Sequence, residues 1–237
     1  MLRVGKLIVL LLSIGGFFTL GFEAYRSLHE TRYFPVQLVH VYGAQHVDHK
    51  EMQNLLQPLV AHNFFAVDME LIKDRLRQFS WVEDITIRRV WPNRVDIVIG
   101  ERSPIAHWHD GSLLSANGDL FSPGGYPSPK DLPQFTGPDG AQGSMLQTFN
   151  DFNRELLPLH AKITALELTS YQMWRLTLDS GIRLHLGHKN ILTHLRQFVK
   201  VYPKVVGNKA KAVDYVDLRY PNGMAVKWKD KEEETET

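Results

Sequence analysis

Cysteine is absent from the 237-residue sequence. Without a thiol the chain can form no disulfide, no thiol nucleophile and no cysteine-ligated zinc site. The absence leaves the cellular compartment open, because extracytoplasmic domains also fold without disulfides.

An excess of charge of either sign is also missing. The sequence has 27 Lys and Arg against 26 Asp and Glu, for a net charge of +1. It therefore offers no broad basic surface for phosphate backbones, and we expect no nucleic-acid partner. With 43% hydrophobic and 22% charged residues, the chain can build an adequate core. Its length suits two modest domains or one large domain.

Compact catalytic and metal-binding motifs are lacking as well. His107 and His109 would place two imidazoles on one side of a strand, a partial metal site. The remaining histidines show no compact three-ligand spacing, so surface or half-buried histidine is the simpler interpretation. The stretch 140–144 matches neither a phosphate loop nor a nucleophile elbow. We therefore predict no enzymatic activity, no cofactor, no metal and no small-molecule substrate.

One long uncharged run stands at the N-terminus, over residues 7–22, with Arg3 and Lys6 before it. A membrane-spanning helix needs about 20 residues, with a lower limit of about 17. The run reaches that length if Val4 and Gly5 join it and the Lys6 side chain snorkels to the interface.

We interpret this run as a retained transmembrane helix over 7–24, after a cytoplasmic tail at 1–6 and before a linker at 25–34. The basic residues before the run favour an inside location for the tail. A cleaved signal peptide would also fit the apolar length, but no Ala-x-Ala type site follows the run. A buried soluble helix is the third interpretation.

The next segment has the pattern of strand, helix, helix, strand, strand. Alternating valines over 36–41 predict a short strand that ends at Gly43. Asp48 and Asp68 fit the N-cap positions of two amphipathic helices. Residues 81–100 predict a hairpin, and two helices on one face of a three-stranded sheet would bury each other's apolar sides.

The hairpin is predicted to turn at Pro92 and Asn93. Proline presets φ for the first central position of a turn, and asparagine suits the second.

A second segment follows, with strands, two helices and a long loop. Residues 122–143 are dense in Pro and Gly and predict an irregular connection. Helices are predicted up to Pro158 and up to Pro203. Strands are predicted at 104–108, 163–168, 174–178, 182–186, 213–218 and 224–228. The charged tail 229–237 lacks apolar anchors and is predicted to be disordered.

Several motifs occur in a fixed order along the chain. They are Val36-x-x-Val39-x-Val41-x-Gly43, Trp81-Val82-x-x-Ile85-x-Ile87-x-Arg89-x-Trp91-Pro92, Ile97-x-Ile99-x-Glu101-x-x-Pro104-Ile105-Ala106-x-Trp108, Leu132-Pro133-x-Phe135-x-Gly137-Pro138 and Tyr215-Val216-Asp217-Leu218-Arg219-Tyr220. This series resembles the FtsQ/DivIB family of bacterial cell division proteins over nearly the whole chain.

The resemblance implies an α+β fold: an N-terminal transmembrane helix, a POTRA domain (βααββ) at 35–102, and a C-terminal mixed β-sheet domain with flanking helices at 103–228. It implies a single-pass type II protein of the inner membrane, with its C-terminal domains in the periplasm at the division septum. It further implies a scaffold of the divisome that recruits and links division proteins, in a complex with FtsB and FtsL. Relatives often carry a longer cytoplasmic tail, so contacts through such a tail are doubtful here.

The last predicted strand, 224–228, has no successor and would lie at a sheet edge. Such an edge offers unpaired N–H and C=O groups to a strand from another protein. In the family, FtsB adds its strand at this end of the β domain. The matching positions are Arg219, Tyr220, Asn222, Gly223 and Trp228, with Arg219 able to pair with a partner carboxylate. The alternative is that these residues merely complete the fold.

A second surface is expected on the POTRA hairpin. Ile87, Arg89, Val95 and Glu101 lie near the strand that family members use to meet earlier-arriving division proteins. Half of them should face the core, because side chains alternate along a strand. Two other functions stay open: a POTRA-type polypeptide transport or assembly factor, and a periplasmic enzyme with a metal at His107 and His109.

Overall fold

The computed structural model describes residues 14–23, 25–26, 34–221 and 223–229. Residues 14–23 and 25–26 are helical. The first part of the predicted span at 7–24, the tail at 1–6, most of the linker and the C-terminal residues from 230 lie outside the described residues. In the described part of the chain, no helix has both the length and the apolar character needed to cross a bilayer. The chain divides into two compact units between Arg102 and Ser103.

The first unit is a three-stranded sheet with two helices. Its elements are β1 (Leu38–Tyr42), α1 (His49–Val60), α2 (Met69–Leu76), β2 (Val82–Val90) and β3 (Arg94–Glu101). The sheet order is β1-β3-β2, with β1 parallel and β2 antiparallel to the central β3. The predicted βααββ order is confirmed.

Both helices begin where their capping residues predict. The Asp48 carboxylate accepts hydrogen bonds from the N–H groups of Lys50 (2.7 Å) and Glu51 (3.1 Å). The Asp68 carboxylate caps α2 in the same way. Each carboxylate satisfies N–H groups that the first helical turn leaves without partners.

The hairpin connection differs from the predicted two-residue turn. Val90 pairs with Arg94, so three residues, Trp91, Pro92 and Asn93, form the connection. The Trp91–Pro92 peptide bond is cis. In this register Trp91 belongs to the connection and does not pair with the opposite strand. The alternation of apolar residues in the flanking strands does not reveal this.

The second unit is a nine-stranded mixed sheet with two helices on one face. Its strands are β4 (Pro104–Trp108), β5 (Leu113–Ser115), β6 (Leu120–Phe121), β7 (Gln134–Thr136), β8 (Ile163–Leu168), β9 (Trp174–Leu178), β10 (Arg183–Gly187), β11 (Val213–Asp217) and β12 (Ala225–Trp228). Its helices are α3 (Gln142–Leu156) and α4 (Ile191–Val205). The sheet order is β12-β11-β10-β9-β8-β7-β4-β5-β6. The core lies between the helices and the sheet, and includes the fully buried Trp108, Phe152 and Phe198.

Two predictions for this unit are wrong. The predicted irregular connection at 122–143 contains β7, which pairs in parallel with β4 and with β8. Pairing on both sides places Phe135 in the core despite the flanking Pro and Gly residues. Pro203 does not end α4 but lies within its last turn, where the N–H of Val206 still donates to Tyr202 O at 2.9 Å.

Candidate protein-binding edge

The strand β12 lies at one end of the nine-stranded sheet. It pairs antiparallel with β11, and Val226 stands opposite Val216. In the described residues, no strand pairs with the other side of β12. Its outer backbone groups therefore form an open edge of the kind that accepts a further strand.

The direction of the backbone groups follows from one hydrogen bond. The N–H of Lys229 donates to Ala212 O at 2.8 Å, so it points toward the neighbouring strand. Successive residues of an antiparallel strand alternate between the two sides. The N–H and C=O groups of Val226 and Trp228 therefore point away from β11, toward the open side.

Side chains beside this edge divide into half-buried and exposed groups. Met224 and Val226 pack against the core. Trp228 stands opposite Val213 and is 40% exposed, and Tyr220 is 54% exposed. Trp228 thus lies on the edge strand and Tyr220 lies in the connection that precedes it, and aromatic groups of this kind are enriched at the centres of protein interfaces.

Gly223 leaves space at the turn before β12. A Cβ added there would meet nothing within 4 Å. The fold therefore tolerates a side chain at this position, and glycine keeps the approach to the edge unobstructed. Asn222, the other predicted turn residue of the site, lies outside the described residues.

Arg219 pairs with a carboxylate of its own chain. Its Nε lies 2.8 Å from Asp217 Oδ1, and its Nη2 lies 2.5 Å from Asp217 Oδ2. The Arg219 N–H also donates to Asp217 Oδ1 at 3.0 Å. The hydrogen bonds from Arg219, chiefly those of its guanidinium, lower the pKa of the Asp217 carboxyl below its usual value. Burial alone would raise this pKa. The same hydrogen bonds fix the chain as it leaves β11 toward the edge.

Sequence reasoning missed the residues that support this ion pair. Gly187, at φ +81, has the Arg219 side chain beside it: an added Cβ would lie 3.3 Å from Arg219 Cγ. The His185 ring stacks on Tyr215, with ring centroids 4.9 Å apart and an interplanar angle of 11°. Burial lowers the pKa of His185, and the Arg175 charge adds to the effect. Of these features, the sequence could suggest only the left-handed backbone conformation of Gly187. A glycine directly after a predicted strand is a common place for a positive φ.

The predicted hairpin residues of the first unit all face its helices. Arg89 Nε donates to Phe64 O at 3.0 Å, and its Nη2 donates to Val67 O at 2.6 Å. Val95 is fully buried and Ile87 is half-buried. Arg89 therefore holds the loop between α1 and α2.

Glu101 has a matching internal role at the other end of the unit. Its Oε1 accepts hydrogen bonds from the N–H groups of Gln45 (2.6 Å) and His46 (2.7 Å). Its Oε2 lies 2.8 Å from His46 Nδ1. The carboxylate thus fixes the loop that leads into α1.

The histidine pair considered for a metal makes different contacts. The Nε2–H of His107 donates to the backbone carbonyl of Pro129 at 2.8 Å. Within the described ranges, no group of three or more His, Asp or Glu side chains is placed to hold a metal ion. The metal-dependent alternative gains no support from this geometry.

The two units define a class of protein with a βααββ domain followed by a mixed sheet with an open terminal strand. Residues 34–102 match the model of the FtsQ-type POTRA domain, and residues 106–219 match the model described as "Cell division protein FtsQ/DivIB, C-terminal". The chain therefore belongs to the FtsQ/DivIB family of cell division proteins. The second match ends at Arg219, so Tyr220, Gly223 and Trp228 lie beyond it.

Curated relatives cover most of the chain. "Cell division protein FtsQ" of Coxiella burnetii is 34% identical over 204 residues, which is 86% of this chain and 84% of the relative. The protein of the same name from Shewanella oneidensis is 31% identical over 92% of this chain and 84% of its own. That of Vibrio cholerae is 30% identical over 97% of this chain and 87% of its own.

Proposed function

We propose that the chain is a single-pass inner-membrane scaffold of the divisome. It recruits and links other division proteins at the septum, with FtsB- and FtsL-like proteins as its direct partners, and it catalyses no reaction. Membership of a cell division family supports the process, and the open edge of β12 supports the mode of binding.

The open edge is the observation that carries the mechanism. A partner segment adds as a new strand against the outward groups of Val226 and Trp228, and main-chain hydrogen bonds supply much of the affinity. The exposed rings of Tyr220 and Trp228 supply selectivity for the partner's side chains. Arg219 contributes through its ion pair with Asp217, which holds in position the segment that leads to the edge.

A transmembrane helix at 7–24 belongs to the same proposal. Residues 14–23 are helical, and several large apolar side chains in this segment are exposed: Phe17, Phe18, Leu20 and Phe22. An isolated helix with such a surface is stable in hydrocarbon and unfavourable in water. The proposed topology places residues 1–6 in the cytoplasm and both folded units in the periplasm.

The POTRA unit is proposed as a second surface for division proteins. Arg89 and Glu101 make internal contacts, so their contribution is to hold the loops in position. Ile87 lies on the same helix-facing side of β2.

A charged side chain at Gly223 tests the proposed edge. We expect Gly223→Glu to weaken capture of the cognate FtsB by the full chain at least about tenfold, because a buried, unpaired charge at an interface costs several kcal/mol. The fold should be unchanged, since the position is open. Capture is measured by pull-down at a series of partner concentrations, and folding by circular dichroism.

The matched control is Gly143→Glu in the first turn of α3. This glycine is equally open, and the same substitution there should leave capture unchanged. Equal capture by the two variants would place the binding site elsewhere on the molecule. Loss of folding in Gly223→Glu alone would show that the glycine serves the fold.

A further inference from the structure

Three segments meet at one end of the POTRA unit. The N–H of Phe64 donates to Phe34 O at 2.8 Å, and the N–H of Gln37 donates to Asn93 O at 2.9 Å. The segment 34–37 therefore joins the α1–α2 loop to the tip of the β2–β3 hairpin. These segments lie together at one end of the unit.

This end of the unit is rich in exposed apolar side chains. Trp91 at the hairpin tip is 72% exposed, Leu38 is 49% exposed and Phe65 is 44% exposed. The Phe34 ring packs edge-on against Phe65, with ring centroids 5.6 Å apart. We name these four residues the aromatic end. Clustered exposed apolar groups of this size mark an interaction surface.

Cationic side chains outnumber acidic side chains near the aromatic end. The segments 34–38, 59–67 and 88–95 contain Arg88, Arg89, Arg94 and His62, whereas the acidic residues Asp68 and Asp96 stand directly after two of these segments. Asp96 neutralises part of this charge through its ion pair with Arg94, at 3.0 Å. Tryptophan beside cationic side chains is the composition that favours the interface of a bilayer with anionic lipid.

Chain length places the aromatic end near the membrane. Seven residues separate Arg26, the last described residue of the N-terminal helical segment, from Phe34. Eight steps at about 3.5 Å each reach at most about 28 Å. The opposite end of the unit, at Gly43 and Glu101, is separated from the aromatic end by about the length of the nine-residue β2, or about 30 Å.

We infer that the aromatic end docks on the bilayer surface, with Trp91 and Phe65 at the level of the lipid headgroups. The inference rests on the proposed transmembrane anchor. Docking orients the POTRA unit relative to the membrane and keeps the far end, at Gly43 and Glu101, away from the lipid. A lipid surface is the occupant that fits the linker, the aromatic rings and the cationic border together.

The absence of cysteine allows site-specific spin labels. The full chain is reconstituted into vesicles of phosphatidylethanolamine and phosphatidylglycerol, with one label at Ala66→Cys or at Gln45→Cys. Ala66 follows Phe65 in the loop, and Gln45 is exposed at the opposite end. We expect oxygen, which concentrates in lipid, to collide with the Ala66 label at least about threefold more often relative to an aqueous nickel chelate, because interfacial groups sit 5–10 Å into the headgroup boundary.

Substitution of the tip residue gives the second readout. Trp91→Ser in the Ala66-labelled chain should return the ratio of oxygen to nickel collisions to that of the Gln45 label. Tyr171→Ser, which removes an exposed aromatic ring in the β8–β9 turn, should leave the ratio unchanged. Equal ratios at Ala66 and Gln45 in vesicle-bound chain would overturn the docking and leave the anchor standing. A chain that does not float with the vesicles would overturn the anchor, and the docking with it.

Discussion

Arg88 and Arg89 are neighbours on β2 with different structural roles. Arg89 donates to two loop carbonyls, at Phe64 and Val67, whereas Arg88 reaches only Asp96 at 3.9 Å. We expect Arg89→Ala to lower the free energy of unfolding of the POTRA unit by about 1–2 kcal/mol, because both carbonyls lose a charged donor. Urea denaturation followed by circular dichroism measures the change.

The control for this prediction is Arg88→Ala. Arg88 is exposed and Asp96 keeps its closer partner Arg94 in this variant, so loss of the 3.9 Å contact should cost less than about 0.5 kcal/mol. The assignment of Arg89 as a loop clamp would be wrong if the two substitutions cost the same stability.

The Asp217–Arg219 pair predicts a pH dependence. The pKa of Asp217 lies below its usual value because of hydrogen bonds from Arg219. Its stabilisation is therefore complete above about pH 4, the range in which the unfolded carboxyl is ionised, and is lost as the pH falls through the lower folded pKa. Arg219→Ala should cost about 1–2 kcal/mol at pH 7 and progressively less below pH 4.

Urea denaturation of the wild-type chain and Arg219→Ala between pH 7 and pH 3 measures this difference. Lys204→Ala, which removes an exposed cation in the last turn of α4, is the control and should show no such convergence. A stability difference for Arg219→Ala that stays constant down to pH 3 would exclude the ion pair as its source.

At the scale of elements, β7 shows where local sequence is insufficient. Its three residues stand between Pro133 and Gly137, both of which predict a loop. Parallel pairing with β4 and β8 nevertheless makes β7 a central strand. Such pairing joins residues that are distant in the sequence, so the spacing of apolar residues within one segment does not predict it.

Phe135 is the residue that tests the importance of β7. Its side chain is fully buried in the core of the second unit. We expect Phe135→Ala to destabilise that unit by about 3–5 kcal/mol, through lost burial and the cavity left behind. Thermal unfolding followed by near-ultraviolet circular dichroism checks the effect. The exposed neighbour in Gln134→Ala should change stability little, and a similar small effect at Phe135 would contradict a core role for β7.

Helix starts were predictable because they depend on single local residues. Asp48 and Asp68 supply carboxylates to N–H groups two and three residues ahead, a contact that sequence spacing alone specifies. Helix ends were less predictable, since Pro203 was expected to end α4 and instead lies within its last turn. Packing of Phe198 in the core holds this helix independently of the proline.

The candidate site was predictable in position but not in its contacts. A last strand without a successor pointed to β12, which lies at the sheet edge. The partner of Arg219 was not predictable, because periodicity does not show that its side chain folds back on Asp217 across Gly187. The alternation of side chains along β2 and β3 likewise does not show which face of the sheet the helices cover. In the structure the helices cover the face that carries Arg89 and Val95.

At the scale of the whole molecule, the two units have different parts in the proposed scaffold function. The POTRA unit follows the proposed membrane anchor, and the β unit presents an open strand at the C-terminal end of the described chain. Ordered motifs from Val36 to Tyr220 indicated the family because each motif specifies a different part of this arrangement. Membership of the FtsQ/DivIB family sets the process as cell division.

Residue-resolved hydrogen–deuterium exchange of the full chain, in bilayer nanodiscs with and without the cognate FtsB, tests the open edge most directly. Without the partner, the amides of Val226 and Trp228 should exchange fast, while that of Lys229, which donates to Ala212 O, should exchange slowly. With the partner bound, all three should exchange slowly. Slow exchange at Val226 and Trp228 in the free protein, or fast exchange in the complex, would contradict strand addition at β12.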